Sequence, residues 1–396
     1  MSPVSRRQVL LGGLAGVALT AAGCGGGKSA AASDTEITIG AWYPLTGAVA
    51  ASGIPQHAGA DAYFKMINDK GGVNGRKINW IVKDNAFDAQ QTVQIARELV
   101  GQDKVVAIVA ANGTAQGEAT FPFVLQQSKV PIFNELGGAA TWYTPPRPGL
   151  FGVQTLYEDQ AAALAAWAGE DGAKKVLVVH SDPAAFVNVA NQVAPVLAKS
   201  APTATAEKFP VKFQTTDYSP VVAQVKAKQP DAVILILASP EAAAFLKEAK
   251  LQGFSVPAYG YAPTAAASTL TLAAGAAEGF KAVQLVKSPA DSDPAVSEFR
   301  DAMAKYASGQ TADFIALWGW AAAKIFVQIA QTVTGDITAQ SLTDAYQQAS
   351  KIDSGVAPVM SFSATNHLGT RAVQKVQVKG GQFVSVGDFF TPPERG

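Results

Sequence analysis

From residue 36 onward, short runs with strand-like spacing alternate with longer runs whose apolar residues recur three and four positions apart. Residues 36–40, with Ile37 and Ile39 on one side, predict a first strand. Ala58, Ala62, Ile67 and the pair Tyr63-Phe64 then recur at helical spacing from Gly53 onward, which gives that helix one face to bury. Gly71-Gly72 ends it, because glycine accepts the positive φ of a C-terminal cap without steric cost. Asn74-Gly75 predicts a tight turn, after which Ile78, Trp80 and Val82 alternate with Lys77, Asn79, Ile81 and Lys83 as in a strand. Strand, helix, glycine turn and strand make one right-handed crossover unit of a parallel sheet.

The same rhythm continues. Asp88 followed three residues later by Gln91 is a capping-box pattern and starts a helix carrying Val93, Ala96 and Leu99 on one side. Residues 105–109 are too apolar to be half exposed and suit a central strand covered on both faces. A loop at 110–114 leads into another helix, and residues 130–133 give a fourth strand, so the first array predicts a doubly wound domain. Pro145, Pro146 and Pro148 break the pattern, and residues 141–149 read as a crossover. Beyond it a second array follows: helix 158–171, strand 175–179, a helix through Val196, strand 206–211, helix 218–228, strand 231–237, and helix 241–252 ending at Gly253. Two arrays of similar length predict an α/β chain with two doubly wound parallel-sheet lobes. The stretch 314–333 is apolar nearly all round, but Lys324, Gln328 and Gln331 interrupt it, and it reads as core of the first lobe and not as a membrane span. Residues 370–378 and 382–386, joined through Gly380-Gly381, predict a terminal hairpin.

Charge removes some function classes. Among 396 residues, 31 basic side chains balance 31 acidic ones, so no basic face for nucleic acid is expected. An enzyme reading finds little support. The only histidines are His57, expected in a first helix turn, His180 at a strand end and His367 in a turn. None pairs with another at zinc-site spacing, and no GxxxxGK phosphate loop occurs, so no catalytic residue, cofactor or metal is expected. His180 faces the carboxyl end of its strand, where it either contacts a ligand or serves the turn. Gly71, Gly72 and Gly75 follow a helix instead of a strand and are no dinucleotide fingerprint.

The N-terminus indicates the compartment. Arg6-Arg7 precedes an apolar run over residues 9–22, shorter than the roughly 20 residues of apolar chain a span requires. It resembles the twin-arginine export signal. Ala21-Ala22-Gly23-Cys24 resembles the lipobox of bacterial lipoproteins, although leucine usually stands where Ala21 is. Residues 1–24 are therefore expected to be a signal peptide ending at Cys24, the sole cysteine, and a lipid on Cys24 would hold the chain at the outer face of the cytoplasmic membrane. The other reading of Cys24 is a signal residue that is cut away. Residues 25–35 read as a flexible tether.

Several short motifs occur in a telling order: Ile39-Gly40 through Pro44-Leu45-Thr46-Gly47, Ile67-Asn68, Gly71-Gly72-Val73-Asn74-Gly75-Arg76, Asp84-Asn85, Val130-Pro131, then Gly172-Ala173-Lys174-Lys175-Val176 and Ala277-Glu278-Gly279. In that order they resemble the extracytoplasmic solute-binding proteins of branched-chain amino acid ABC transporters, over nearly the whole chain after the tether. The resemblance implies a type I periplasmic binding fold with three crossing strands. It places residues 36–155 with 287–358 in lobe 1, and 156–286 with 359–396 in lobe 2. It also implies partners: a small-molecule solute and the permease subunits of an importer.

Ligands of open parallel sheets sit beyond the carboxyl ends of the strands. The amides at Asn112, Gly113 and Thr114, preceding a helix, can hold an anionic or carbonyl oxygen, and Thr114 adds a hydroxyl. In the family the equivalent loop grips the carboxylate of an amino acid together with the next strand's loop, here Gly137, Gly138 and Ala139. The other reading of Asn112 and Gly113 is a helix cap. Family members add an aromatic residue near the end of the fifth strand, for which Phe186 is the best match although the usual tyrosine-glycine pair is missing. Trp42, just past the first strand, either walls the pocket or lies in a hinge core. Ser52 occupies a position often aromatic in relatives.

The departures bear on the solute. Amino acid binders hold the ammonium with an acid on the loop that here reads Ala258-Tyr259-Gly260-Tyr261-Ala262-Pro263-Thr264, which has no carboxylate and leaves Tyr261 as its candidate contact. The tyrosine common after the strand 231–237 is replaced by Ala238-Ser239. Glu135 and Glu241 substitute only if their loops point inward. An unpaired buried ammonium costs several kcal/mol, enough to erase micromolar affinity. The expected solute is thus an amide, organic acid, aromatic or heterocyclic compound before an ordinary amino acid. A ligand-sensing receptor on the same fold is the competing function.

Overall fold

The computed structural model describes residues 35–47 and 49–395. The expected signal at Arg6 and Arg7, the lipidation site Cys24 and nearly all of the tether lie outside the described residues.

The first lobe is built on five parallel strands, β1 (Glu36–Tyr43), β2 (Lys77–Asp84), β3 (Ile108–Val109), β4 (Ile132–Phe133) and β5 (Leu150–Phe151), in the order β2-β1-β3-β4-β5. Helices α1 (Ala50–Asp69), α2 (Ala89–Gly101) and α3 (Thr114–Phe121) connect them. The second lobe follows with α4 (Tyr157–Glu170), β6 (Lys175–Ser181), α5 (Ala184–Ala190), α6 (Val193–Ser200), β7 (Thr205–Val211), α7 (Ser219–Ala227), β8 (Ala232–Ile236), α8 (Ser239–Leu251), β9 (Ala258–Gly260), α9 (Ala267–Ala273) and β10 (Lys281–Gln284). The chain then returns to the first lobe, where α10 (Pro294–Tyr306) and α11 (Phe314–Ala330) pack on α1, with α12 (Ala339–Gln348) beside α11. It ends as β11 (Val373–Lys379) and β12 (Gln382–Phe390), antiparallel strands that extend the second sheet to β12-β11-β10-β9-β8-β6-β7. Three segments thus pass between the lobes: after β5, after β10 and before β11.

The unit around Asn74-Gly75 forms as its chemistry requires. Asn74 and Gly75 both have positive φ, at 50° and 83°. Val73 and Arg76 across the turn exchange backbone hydrogen bonds of 2.8 and 3.0 Å, a two-residue hairpin turn of the type these residues favour. Asn68 fixes the next strand from the helix side, donating from Nδ2 to the Ile78 carbonyl and accepting the Ile78 amide at Oδ1, both at 2.8 Å. Asp84 accepts from the Leu45 and Ala86 amides at 2.9 Å and from the Thr46 hydroxyl at 2.6 Å, tying the Pro44 loop to the end of β2.

Residues 105–109 are buried and add backbone bonds from Val106 to Thr38 and from Gly40 to Ala107. The nearly all-apolar helix is α11, whose side chains are buried at almost every position. It lies so close to α1 that a Cβ on Gly59 would stand 1.8 Å from the Ala316 carbonyl oxygen, and one on Gly319 would stand 1.9 Å from that of Gln56. Tyr63 meets the buried ring of Trp320 edge-on at 4.8 Å. Among the described residues no helix is long and apolar enough to cross a membrane.

Five local expectations are corrected. The proline segment 141–149 does not cross between lobes: it joins β4 to β5 within one sheet, and the crossing comes after Phe151. Its prolines shape a loop held by Trp142 against Phe121 and by the Arg147 guanidinium over the same ring. The helix expected through Val196 is two helices, broken at Asn191 and Gln192. Only half of the capping box forms, since Asp88 accepts the Gln91 amide at 2.7 Å while the Gln91 side chain donates to the Asp84 carbonyl. His57 is not in a first turn, because α1 begins seven residues earlier; it stacks on Trp80 at 5.4 Å. Trp42 lies inside β1, opposite Lys83, since the strand runs three residues beyond Gly40.

Candidate functional site

The loops after β3 and β4 reach the start of α4, where Thr114 and the Gly138 carbonyl of lobe 1 meet Tyr157. Asn112 continues from β3 and bridges to Leu136 after β4. Its amide nitrogen donates to the Trp42 carbonyl at 3.0 Å and the Gly113 amide donates to the Leu136 carbonyl at 3.3 Å, so both amides serve the lobe itself. The Asn112 side chain is buried and donates to Gln56 Oε1. What the loop offers a ligand is therefore narrower than the sequence implies. It is the first turn of α3, where the amides of Thr114, Ala115 and Gln116 have no carbonyl to reach within the helix, together with the half-buried Thr114 hydroxyl.

The loop after β4 supplies the opposite wall. The Gly138 carbonyl accepts the Tyr157 amide at 2.9 Å, and a Cβ on Gly138 would lie 2.4 Å from Gln154 Nε2 and 3.4 Å from the Tyr157 ring. Only glycine leaves room for that approach. Gly137 packs on Trp142 in the same way, while the Ala139 carbonyl accepts the Trp142 amide.

Tyr157 is the residue around which the predicted positions gather. Its hydroxyl lies beside those of Thr114 and the Gln154 amide, and burial pushes its pKa up against those two polar neighbours. Its ring meets Tyr261 edge-on at 5.7 Å. Tyr261 is buried, and burial together with Tyr157 and Glu241 pushes its pKa well above the ordinary tyrosine range. The Tyr261 loop is pinned by Gln160, whose Oε1 accepts the Ala262 amide at 3.0 Å. Thr114, Gly138 and Tyr261 are thus brought together by Tyr157, and Gln154 joins them. Sequence reading missed both. The signal for Tyr157 was its place one residue before the expected start of a helix that follows the β5 crossing.

The remaining candidates sit apart. Phe186, in the first turn of α5, is half-buried against Phe213 at 5.7 Å. Ser52, near the start of α1, is half-buried. The Ser239 hydroxyl donates to the Pro263 carbonyl at 2.5 Å, so it ties two loops of the second lobe together. Trp42 is fully buried.

The two acids have opposite situations. Glu241 accepts the Ser181 hydroxyl at 2.9 Å, the Gln214 amide at 2.8 Å and the Ala238 amide at 3.0 Å, so its charge is saturated inside lobe 2. Glu135 is fully buried beneath α3, where a Cβ on Gly117 would touch its carboxyl at 2.5 Å. Burial holds it well above the usual carboxylate range, Trp42 counteracts this, and Glu118 adds to it. Neither carboxyl oxygen nor the Trp42 indole nitrogen has a hydrogen bond of full geometry.

His180 turns back, its Nδ1 2.8 Å from the Ser181 carbonyl. His367 stacks on Phe151 at 4.1 Å. Among the described residues no group of three His, Cys, Asp or Glu side chains is placed to hold a metal ion.

A 390 Å³ cavity lies between the lobes beside this cluster, lined by Ala140, Glu158, Asn188, Asn191, Gln192 and Arg395, and a second, of 830 Å³, lies among the crossing segments and the terminal hairpin.

Known proteins give this geometry a context. The chain is 27% identical over 251 residues to Leu/Ile/Val-binding protein homolog 7 of Brucella abortus, a match covering 60% of this chain and 61% of that one. The chain thus spans about three fifths of the length of that relative. Its fold matches a branched-chain amino acid ABC transporter protein from Thermus thermophilus with bound valine, at a TM-score of 0.81 and 22% identity over 90% of this chain and 97% of that one. It also matches a solute-binding protein from R. palustris in complex with benzoate, at a TM-score of 0.75 and 19% identity over 89% and 96%. The model of the family described as periplasmic binding protein matches residues 36–382. With two sheets of this order, three crossings and that match, the chain belongs to the periplasmic binding proteins of the type I fold, and within them resembles the Leu/Ile/Val-binding group.

Proposed function

We propose that the chain captures a small organic acid lacking an ammonium group between its lobes and delivers it to the permease of an ABC importer. The observation that carries this reading is the asymmetry of charge at the cleft. The first turn of α3 and the Thr114 hydroxyl offer donors for an oxyanion. Across from them Tyr157 and Tyr261 present rings, and Glu241 is committed to three hydrogen bonds of its own. A carboxylate with an apolar or aromatic body fits such a surface, and a zwitterion would leave its ammonium unpaired at a cost of several kcal/mol. The relative that binds benzoate supports a solute of this class, and the one that binds valine marks the alternative.

Ligand contacts to both lobes arise only when the lobes are together, so binding favours the closed arrangement and the composite face it presents to a transporter. The lobes divide, in this reading, near residues 155, 286 and 358. Export through Arg6-Arg7 and a lipid on Cys24 place the chain at the outer face of the cytoplasmic membrane. A thermal-shift screen across amino acids, amides, organic acids and nucleobases tests the solute class. Organic acids are expected to raise the melting temperature most; the largest shifts from leucine, isoleucine or valine would contradict it.

A further inference from the structure

The 390 Å³ cavity beside the cleft is lined almost entirely by polar groups, and Thr114, Gly138 and Tyr261 are not among them. Its size is within the several hundred Å³ typical of small-molecule sites. It is shared between the lobes, with Ala140 from the loop after β4 and the other lining residues from the second lobe and the chain's last residues.

Opposite charges face it without neutralising each other. Arg395 is anchored by Nε, 3.3 Å from Asp159 Oδ1, which leaves the two terminal nitrogens of its fork for another acceptor. The Glu158 carboxyl takes backbone hydrogen bonds from its own amide and, at 3.5 Å on Oε1, from that of Ala140, and its Oε2 has no partner. No ion pair joins Glu158 to Arg395 among the described residues, although Arg395 lowers the Glu158 pKa that burial raises. The amides are oriented as well. Asn191 Oδ1 accepts from Lys208 at 2.6 Å, so its NH₂ is the free end, and Asn188 and Gln192 flank it at the break between α5 and α6.

We infer that this cavity is a second binding site, which takes a small dipolar solute of the amino acid class with its carboxylate on the Arg395 fork and the Asn191 amide and its ammonium on Glu158. Arginine recognises carboxylates through its planar fork, and an ammonium supplies a charged partner for the Glu158 carboxylate. The lining has no aromatic or branched residue, so a polar side chain is preferred over an apolar one. The cleft proposed above is a different surface, and this inference does not depend on its solute.

Calorimetric titration of the full chain with L-glutamine tests the site. Saturable binding is expected, weakened about tenfold or more by Glu158→Gln and by Arg395→Ala separately, the scale of one lost charge-assisted contact. Asn188→Leu, at an exposed position outside the Asp159 pair, is expected to weaken it comparably by filling the cavity. L-leucine should bind more weakly than L-glutamine, and Thr114→Val should leave glutamine binding unchanged. Absence of saturable binding, or binding that all three cavity variants leave unchanged, overturns the inference. So does binding that Thr114→Val abolishes, which would place glutamine in the cleft and count against the organic-acid reading instead.

Discussion

The two rims of the cleft solve the same problem in opposite ways. Lobe 1 leaves polar groups open: the first amides of α3, the Thr114 hydroxyl and, beneath them, the buried Glu135 carboxyl with no full hydrogen bond. Lobe 2 closes the polar groups around Tyr261 onto itself, and its open Glu158 faces the neighbouring cavity instead. Glu241 is saturated, Ser239 is spent on Pro263, and Tyr157 and Tyr261 leave mainly rings for the proposed solute. An acid near a cleft is therefore not automatically a ligand group; whether its lone pairs are already occupied decides the matter.

The largest test of that contrast is Glu241→Ala. It strands the Ser181 hydroxyl and the Gln214 and Ala238 amides, so urea unfolding should show a loss of about 3–5 kcal/mol. A variant that keeps its stability and loses solute binding would make Glu241 a ligand group and dissolve the comparison. Next is Tyr157→Ala, which removes the ring packed on Tyr261 and should weaken solute binding by about 2 kcal/mol in calorimetry, the usual scale for a buried aromatic contact.

Glu135→Gln probes the open side of lobe 1. Burial raises the folded pKa of Glu135, so the folded state holds a proton that the unfolded chain releases above about pH 4.3. Its stabilising effect is complete below that value and declines as pH rises toward the folded pKa. The variant should therefore gain steadily on the wild type as pH rises above about 4.3 in paired urea melts. A constant difference would mean that Glu135 is ionised in the fold. Thr114→Val is the mildest substitution, expected to weaken the solute about tenfold, the low end for a hydrogen bond to a charged acceptor.

Much of the fold was legible because its signals are local. Asn74-Gly75 names its turn, Asp88 its cap, and residues 105–109 their burial. The family motifs were also legible, but Asn68 and Asp84 prove to be ties between strand, helix and loop, which explains why they identify the fold and say little about the ligand. The site was less legible because it is assembled at long range. Nothing near Tyr157 in sequence reveals that it meets Thr114, Gly138 and Tyr261, each from a different loop. Trp42 was misplaced because β1 extends beyond its alternating stretch into residues buried on both faces. The proline segment misled because prolines mark a break in strand and helix without saying whether the chain then changes lobe.

The central claim is that, at the cleft beside Tyr157 and Tyr261, lobe 1 holds a carboxylate while lobe 2 offers no acid for an ammonium, Glu158 facing the separate cavity. Calorimetric comparison of L-leucine with 4-methylpentanoate, the same carboxylate and branched chain without the amine, isolates that one group. Tighter binding of 4-methylpentanoate by about tenfold or more is predicted, since the unpaired ammonium costs more than the 1.4 kcal/mol that a factor of ten represents. Micromolar binding of leucine with little or none of 4-methylpentanoate would contradict it.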